Sequence, residues 1–309
     1  MRPAVRSPTR SAVSNWPALV AVARRTRGDG SITSIDVTDA EYHQAARDFH
    51  RLMALEPHGP DVFVGISPVY PWGRLYGGQV VAQALRAAAM TVEPQYRPHS
   101  LHAYFIRGGT SDEPVRYEVD RIRNGRSFVT RLVVARQSGG AILNLSVSFQ
   151  VDEDQPERQT FDLPEAPSPE ELSEEGWGFL LDRRHIPLDR NLGKSMGWVR
   201  LLDEVGDDPV LHACGLAFTS DTIQFGAARA AHPIRVAEER HHKDFIGASL
   251  DHAMWFHRPG RADRFHLYDF TSHGLTGGRG LVTGQLFSAD GTHVASIAQE
   301  VLLRYIGES

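Results

Sequence analysis

Gln299 is the polar residue whose position asks for an explanation. It falls in phase with Ala295, Ile297, Val301 and Leu303, the apolar positions of an alternating run. Alternate side chains of a strand share a face, so its amide points where those apolar residues point. A buried amide without partners costs about 1–3 kcal/mol. An amide can donate and accept at one point, so it can bond backbone inside a core or hold a reactant. Asp221, directly after Ser220, reads by itself equally as a helix cap. Ser249 carries no signal by itself.

Other chemistries fail at the level of motif. Gly247-Ala248-Ser249-Leu250-Asp251 lacks the final glycine of a serine-esterase elbow. Gly274-Leu275-Thr276-Gly277-Gly278-Arg279-Gly280 does not fit the dinucleotide fingerprint, and no Walker-type phosphate loop is present. Cys214 is the single cysteine, which excludes an intramolecular disulfide and any site built on several thiolates, and fits a reducing compartment. The 15 histidines invite a metal reading. His241 and His242 are adjacent, however, and His252 and His257 fall on opposite faces of a predicted strand. Structural or solvated histidines are expected, and no metal. The net charge of −5 argues against a broad nucleic-acid surface. The only lysines are Lys194 and Lys243, so the basic residues are nearly all arginine. Arginine suits phosphate groups, although coding bias accounts for the excess more simply.

The elements that position these residues follow from pattern. A chain of 309 residues suits about two domains of roughly 150 residues each. With 41% hydrophobic and 23% charged residues it has a soluble globular balance. No apolar run reaches the roughly 18 residues of a membrane span. Residues 1–28 hold six arginines and no acid, with the apolar stretch Trp16 to Ala23 interrupted by Pro17. Residues 1–38 are read as a disordered extension rather than a signal or transit peptide. The last residues, Gly307-Glu308-Ser309, are not the peroxisomal address, and a cytoplasmic location is expected. Thr38 and Glu41 have capping-box spacing, followed at helical intervals by Ala45, Phe49, Leu52, Met53 and Leu55. Between 152 and 175 lie ten acids, one base (Arg158) and several prolines, the composition of a solvated linker. Ser168 and Glu171 allow a short helix within it. Four segments result: the extension 1–38, a unit at 39–151, a linker at 152–180 and a unit at 181–309.

The two units carry similar signals in the same order. His102-Ala103-Tyr104-Phe105 is matched to His252-Ala253-Met254-Trp255, Arg107-Gly108-Gly109 to Arg258-Pro259-Gly260, and Phe149-Gln150 to Ala298-Gln299. A common order at a near-constant offset indicates a duplicated unit. Within the first, Val80 to Met90 is apolar almost all round, as in a buried helix, opened by Gly77-Gly78 and closed by Pro94. Leu143, Leu145, Val147, Phe149 and Val151 alternate with polar residues, a strand. One buried helix followed by hairpin-linked strands predicts an α+β fold, an antiparallel sheet wrapped around the helix, twice over.

Three blocks resemble the type II acyl-CoA thioesterases: Tyr76 to Leu85, His99 to Phe105, and above all Ser249-Leu250-Asp251-His252-Ala253-Met254-Trp255-Phe256-His257-Arg258-Pro259. Together they cover roughly residues 40–306, with 1–38 outside. The resemblance implies a double hotdog fold and hydrolysis of medium- to long-chain fatty acyl-CoA to free acid and CoA, without cofactor. It also implies a catalytic Asp, hydroxyl and Gln, which fall on Asp221, Ser249 and Gln299. Serine stands where some members carry threonine, keeping the hydroxyl. Asp221 would accept a proton from water or orient it, with Ser249 and Gln299 fixing that water. Gly78, His102 and Arg258 are the expected substrate contacts.

The first unit has Gln150 but no matching acid, only Gln79 and Gln83, so one working site per chain is expected. An acyl-CoA hydratase of the same fold needs an acid–base pair, commonly Asp with His, and no His follows closely after Asp221. A non-catalytic acyl-CoA-binding module is the third reading. The expected partners are the acyl-CoA substrate and further copies of the chain in a homo-oligomer, with no nucleic acid and no membrane span.

Overall fold

The computed structural model describes residues 21–26, 32–37, 48–70, 72–175, 180–189, 193–237 and 240–307. The chain divides into a small unit, 1–44, and a large one, 45–309. In the small unit β1 (Ala21–Thr26) pairs antiparallel with β2 (Ile32–Val37). That pair falls inside the segment read as disordered; the capping pair Thr38 and Glu41 lies outside the described residues.

The large unit begins with α1 (Phe49–Met53), whose cap is Asp48: its side chain accepts from the Arg51 N–H. Strands β3 (Glu56–Pro57) and β4 (Val62–Gly65) lead into α2 (Gly77–Ala89). The sheet of the first half continues through β5 (Tyr96–Phe105), β6 (Val115–Asn124), β7 (Phe128–Gln137) and β8 (Gly140–Val151). The second half contains β9 (Leu181–Ile186), β10 (Lys194–Leu201), α3 (Pro209–Thr219), α4 (Gln224–Ala231) and α5 (His241–Asp244). It closes with β11 (Phe245–Ser249), β12 (Asp251–Phe256), β13 (His266–Thr276), β14 (Arg279–Ser288) and β15 (His293–Tyr305).

All twelve strands on the main path form one sheet in the order β3-β4-β6-β7-β8-β5-β12-β15-β14-β13-β10-β9, and β11 also pairs with β15. The halves join where β5 runs antiparallel to β12, from Tyr104 opposite Asp251 to Ser100 opposite Trp255. Each half curls around a helix. Helix α2 is buried from Gly78 to Leu85, and its alanines let the strands approach closely. Helix α3 starts at Pro209, capped by Asp208 accepting from the N–H groups of Val210 and Leu211, and packs against α2. The main apolar core runs through both halves. This is the double hotdog that the resemblance implies, and the twice-curled sheet agrees with the sequence pattern.

The acidic stretch behaves differently from a solvated linker. Leu163, Ala166 and Leu172 pack on a second apolar cluster, Ile186, Met196, Trp198, Leu267 and Phe287. The Trp198 indole N–H donates to Pro167 O (2.8 Å), and Gln159 accepts from the His293 N–H (2.8 Å) and donates to Gly291 O (2.9 Å). Its scattered apolar residues, outnumbered in composition, give it an inner side. The Ser168–Glu171 box forms: Glu171 accepts from the Ser168 N–H at 2.7 Å, over a single 3-10 turn at Pro169–Glu171.

Candidate active site

Asp221, Ser249 and Gln299 come from three elements and meet. Asp221 lies just past the C-terminal end of α3, Ser249 ends β11, and Gln299 sits midway along β15. Ser249 stands opposite Val301, so β11 brings its hydroxyl alongside the residue two before it on β15. The Gln299 Nε2 group donates to Asp221 Oδ1 (3.0 Å) and to Ser249 Oγ (2.8 Å). The Ser249 hydroxyl donates to the same Asp221 oxygen at 3.4 Å. Gln299 is fully buried, as its phase on the strand requires.

Two glycines make room for the carboxylate. Helix α2 meets α3 so closely that a Cβ on Gly78 would lie 2.3 Å from Phe218 O, and one on Gly77 would lie 2.5 Å from Asp221 Oδ2. The Tyr76 hydroxyl donates to Phe218 O (2.7 Å) across the same junction. The Gly78 backbone N–H lies on the carboxylate side of this junction and favours the ionised form of Asp221. Burial is the largest influence on Asp221 and pushes its carboxyl above the usual range. The electrostatic influence of His252 and the donors Gln299, Gly78 N–H and Ser249 pull it down without cancelling that effect.

Behind the three lies His252, 1% exposed, which the sequence reading left among structural histidines. Its Nδ1 is 2.6 Å from Gln299 Oε1 and its Nε2 2.8 Å from Ser220 Oγ. The available signal was its strand phase: His252 and Met254 face inward together on β12.

A cavity of about 420 Å³ opens in front of Asp221 and Ser249. Leu75, Val80, Ile142, Phe225 and Leu250 supply apolar walls, Gly77 marks the start of α2, and Arg74 and Arg107 are exposed on its lining. Asp221 is the only acid among the described lining residues. The two arginines had no distinguishing sequence signal.

Of the expected substrate contacts, Gly78 reaches this site, and His102 and Arg258 do not. His102 is exposed on β5, edge-on to Trp255 with ring centroids 5.1 Å apart. Arg258 pairs with Glu157 (3.3 Å) and lines a separate cavity with His99, Trp255 and His293.

The repeat is real. Arg107 and Arg258 are counterparts, their backbone N–H groups donating to the carbonyls of Ile142 and Val294, but the other two matches shift. Burial on β5 falls on Leu101 and Ala103, and on β12 on His252 and Met254. The counterpart of His252 is therefore Leu101, and that of His102 is Ala253. Leu101 stands opposite Val147 on β8, so an apolar pair occupies the place of His252 and Gln299. Gln150 instead stands opposite Arg97 and Phe128. Gln79 and Gln83 are taken up inside the first half: Tyr70 and Tyr117 donate to their carbonyl oxygens (2.7 Å each), and their amides donate to Ser67 Oγ (2.6 Å) and Leu52 O (2.8 Å).

A duplicated curled sheet with a polar cluster facing a cavity defines a double hotdog protein with a candidate site in its second half. Residues 66–150 match the family model of the acyl-CoA thioesterase N-terminal domain, and 154–303 that of the C-terminal domain. The chain is 36% identical to human acyl-coenzyme A thioesterase 8, over 82% of this chain and 88% of that protein. It is 33% identical to acyl-CoA thioesterase 2 of Haemophilus influenzae, over 82% and 96%. Among solved structures, the acyl-CoA thioesterase II TesB2 of Mycobacterium marinum superposes with a TM-score of 0.73 at 37% identity, covering 84% of this chain and 98% of that one. The chain belongs to the type II acyl-CoA thioesterase family and is a thioester hydrolase. Among the described residues no helix is long and apolar enough to cross a membrane.

Proposed function

We propose that the protein hydrolyses medium- to long-chain fatty acyl-CoA, with Asp221, Ser249 and Gln299 orienting the attacking water. The observation that carries this reading is the convergence of the three groups on one carboxylate oxygen beside an apolar-walled cavity. Asp221 accepts a proton as the water oxygen bonds to the thioester carbon, assistance worth about 10²–10⁴-fold. The tetrahedral oxyanion then collapses, the C–S bond breaks, and the thiolate takes a proton to leave as CoA. The start of α2 at Gly77 lines the cavity, where its dipole favours developing negative charge. The Gly78 backbone favours the ionised Asp221 carboxylate, so we assign Gly78 to the base rather than to the substrate.

The guanidiniums of Arg74 and Arg107 suit the phosphates of the CoA moiety. Arg74 donates to Gly247 O (3.0 Å) and Arg107 to Gly139 O, so each is tethered by a carbonyl while keeping donors for an anion. Hydration of an acyl-CoA double bond would call for a histidine acting with Asp221. The nearby His252 has both ring nitrogens engaged and is buried, which disfavours that reading.

The test is thiol release from palmitoyl-CoA by the purified protein. Turnover in the wild type and its loss in Asp221→Asn, with binding of the substrate kept, is the expected result. Equal turnover in the two removes the assignment. Binding without turnover in the wild type makes the protein an acyl-CoA-binding module.

A further inference from the structure

The hydrolytic reading leaves one question of geometry. The two ends of the Gln299 amide have nearly the same shape, and only the hydrogen bonds around them distinguish oxygen from nitrogen. In one orientation the NH2 group reaches both Asp221 Oδ1 and Ser249 Oγ, at 3.0 and 2.8 Å. In the other, an amide oxygen faces a carboxylate oxygen, and Gln299 offers no donor to Asp221 or Ser249.

We propose that His252 is a positioning residue of the site, whose Nδ1–H holds the Gln299 amide with its NH2 group turned toward Asp221 and Ser249. This rests on the hydrolytic reading above. Gln299 Oε1 carries no proton, so at 2.6 Å the proton belongs to His252 Nδ1. The far side of the ring is anchored as well. Nε2 lies 2.8 Å from Ser220 Oγ, and the Ser220 hydroxyl is in turn 2.8 Å from Ala217 O in the last turn of α3. Ser220 is the residue before Asp221. The bonds therefore close a ring: Ser220 to His252, His252 to Gln299, Gln299 to Asp221, and Asp221 back to Ser220 through the chain. Ser220 and Gln299 are fully buried and His252 is 1% exposed, so no bulk water substitutes for a missing partner.

The ring ties β12 and β15 to the end of α3 at the point where the carboxylate must stand. The first half shows what the fold does without such a site. There Leu101 faces Val147 across the corresponding strands, and the sheet forms equally well. Folding alone thus calls for no histidine at this place. A polar residue at 252 makes sense for the amide it orients.

Substitution separates orientation from packing. The side-chain amide of asparagine reaches the Nδ1 side of a histidine site, and that of glutamine the Nε2 side. His252→Asn keeps a donor for Gln299 Oε1, whereas His252→Gln keeps only a hydrogen-bond partner for Ser220. With palmitoyl-CoA as substrate, His252→Asn is expected to retain kcat within about tenfold of wild type, and His252→Gln to lose about 10²-fold, the scale of one misplaced donor. In both, KM stays within about threefold and the circular dichroism is native, because the cavity walls are untouched. A His252→Gln enzyme as active as His252→Asn, or a loss confined to KM, overturns the role. Where His252→Gln does not fold, Ser220→Ala carries the test: freeing the ring from its anchor lowers kcat about tenfold at unchanged KM, and wild-type kcat overturns the proposal. A wild-type protein that releases no thiol from any acyl-CoA overturns the functional reading instead, which keeps the two failures apart.

Discussion

At the scale of single residues, the site is a buried carboxylate held by the Gln299 and Ser249 donors. Removing the carboxylate or the amide tests this directly: Asp221→Asn and Gln299→Ala are each expected to lower kcat by about 10²-fold or more. Thiol release under saturating substrate measures it, and near-wild-type rates in either variant contradict the assignment. Burial also sets the pH response. The Asp221 carboxyl is raised, and the ionised form is the base, so activity is lost as pH falls through that raised value. The acid limb of kcat/KM is expected above the ordinary carboxylate value of about 3.9. The same shift has a consequence for stability. A raised native pKa means the native state binds the proton more tightly than the unfolded chain, so ionisation costs stability as pH rises. Asp221→Asn is therefore expected to be at least as stable as wild type near pH 7, with the difference vanishing in acid; thermal melts across pH read it out.

At the scale of elements, the junction of α2 with α3 decides where the carboxylate stands. Gly78 is needed there because no Cβ fits against Phe218 O. Gly78→Ala is expected to destabilise the protein by about 1–3 kcal/mol, since two packed helices must move apart. A melting temperature equal to wild type would show that the helices part freely. Strand β11 does a comparable task on the other side. It pairs with β15 beside β12, and this short strand delivers Ser249 to Gln299. Nothing in the local pattern of 245–249 announces that placement.

At the scale of the whole molecule, the two halves share one sheet and one apolar core. Separating them exposes β5 and β12 as bare edges, an invitation to aggregate. Residues 45–151 produced alone are expected to lack a cooperative melt, and co-production with 152–309 to restore one; circular dichroism with size-exclusion chromatography decides. The unequal furnishing of the halves follows from the same construction. Once the second half holds the carboxylate, the amide and the histidine, the first is free to fill the equivalent interior with Leu101 and Val147 and to supply Arg74 and Arg107 at the cavity.

Periodicity in the sequence was enough for the buried helix at Gly77–Ala89, the long strands and the inward amide of Gln299, because each depends on residues close in the chain, and the common order of motifs was enough for the duplication. The Asp221, Ser249 and Gln299 set was legible through its resemblance to a family. The partner of that amide was not, nor were the cavity arginines, the docked linker or the correct phase of the repeat. Those depend on which strand lies beside which and on which side chains share a face across the sheet. One residue of slip turns every side chain to the opposite face, and only the folded sheet fixes that register.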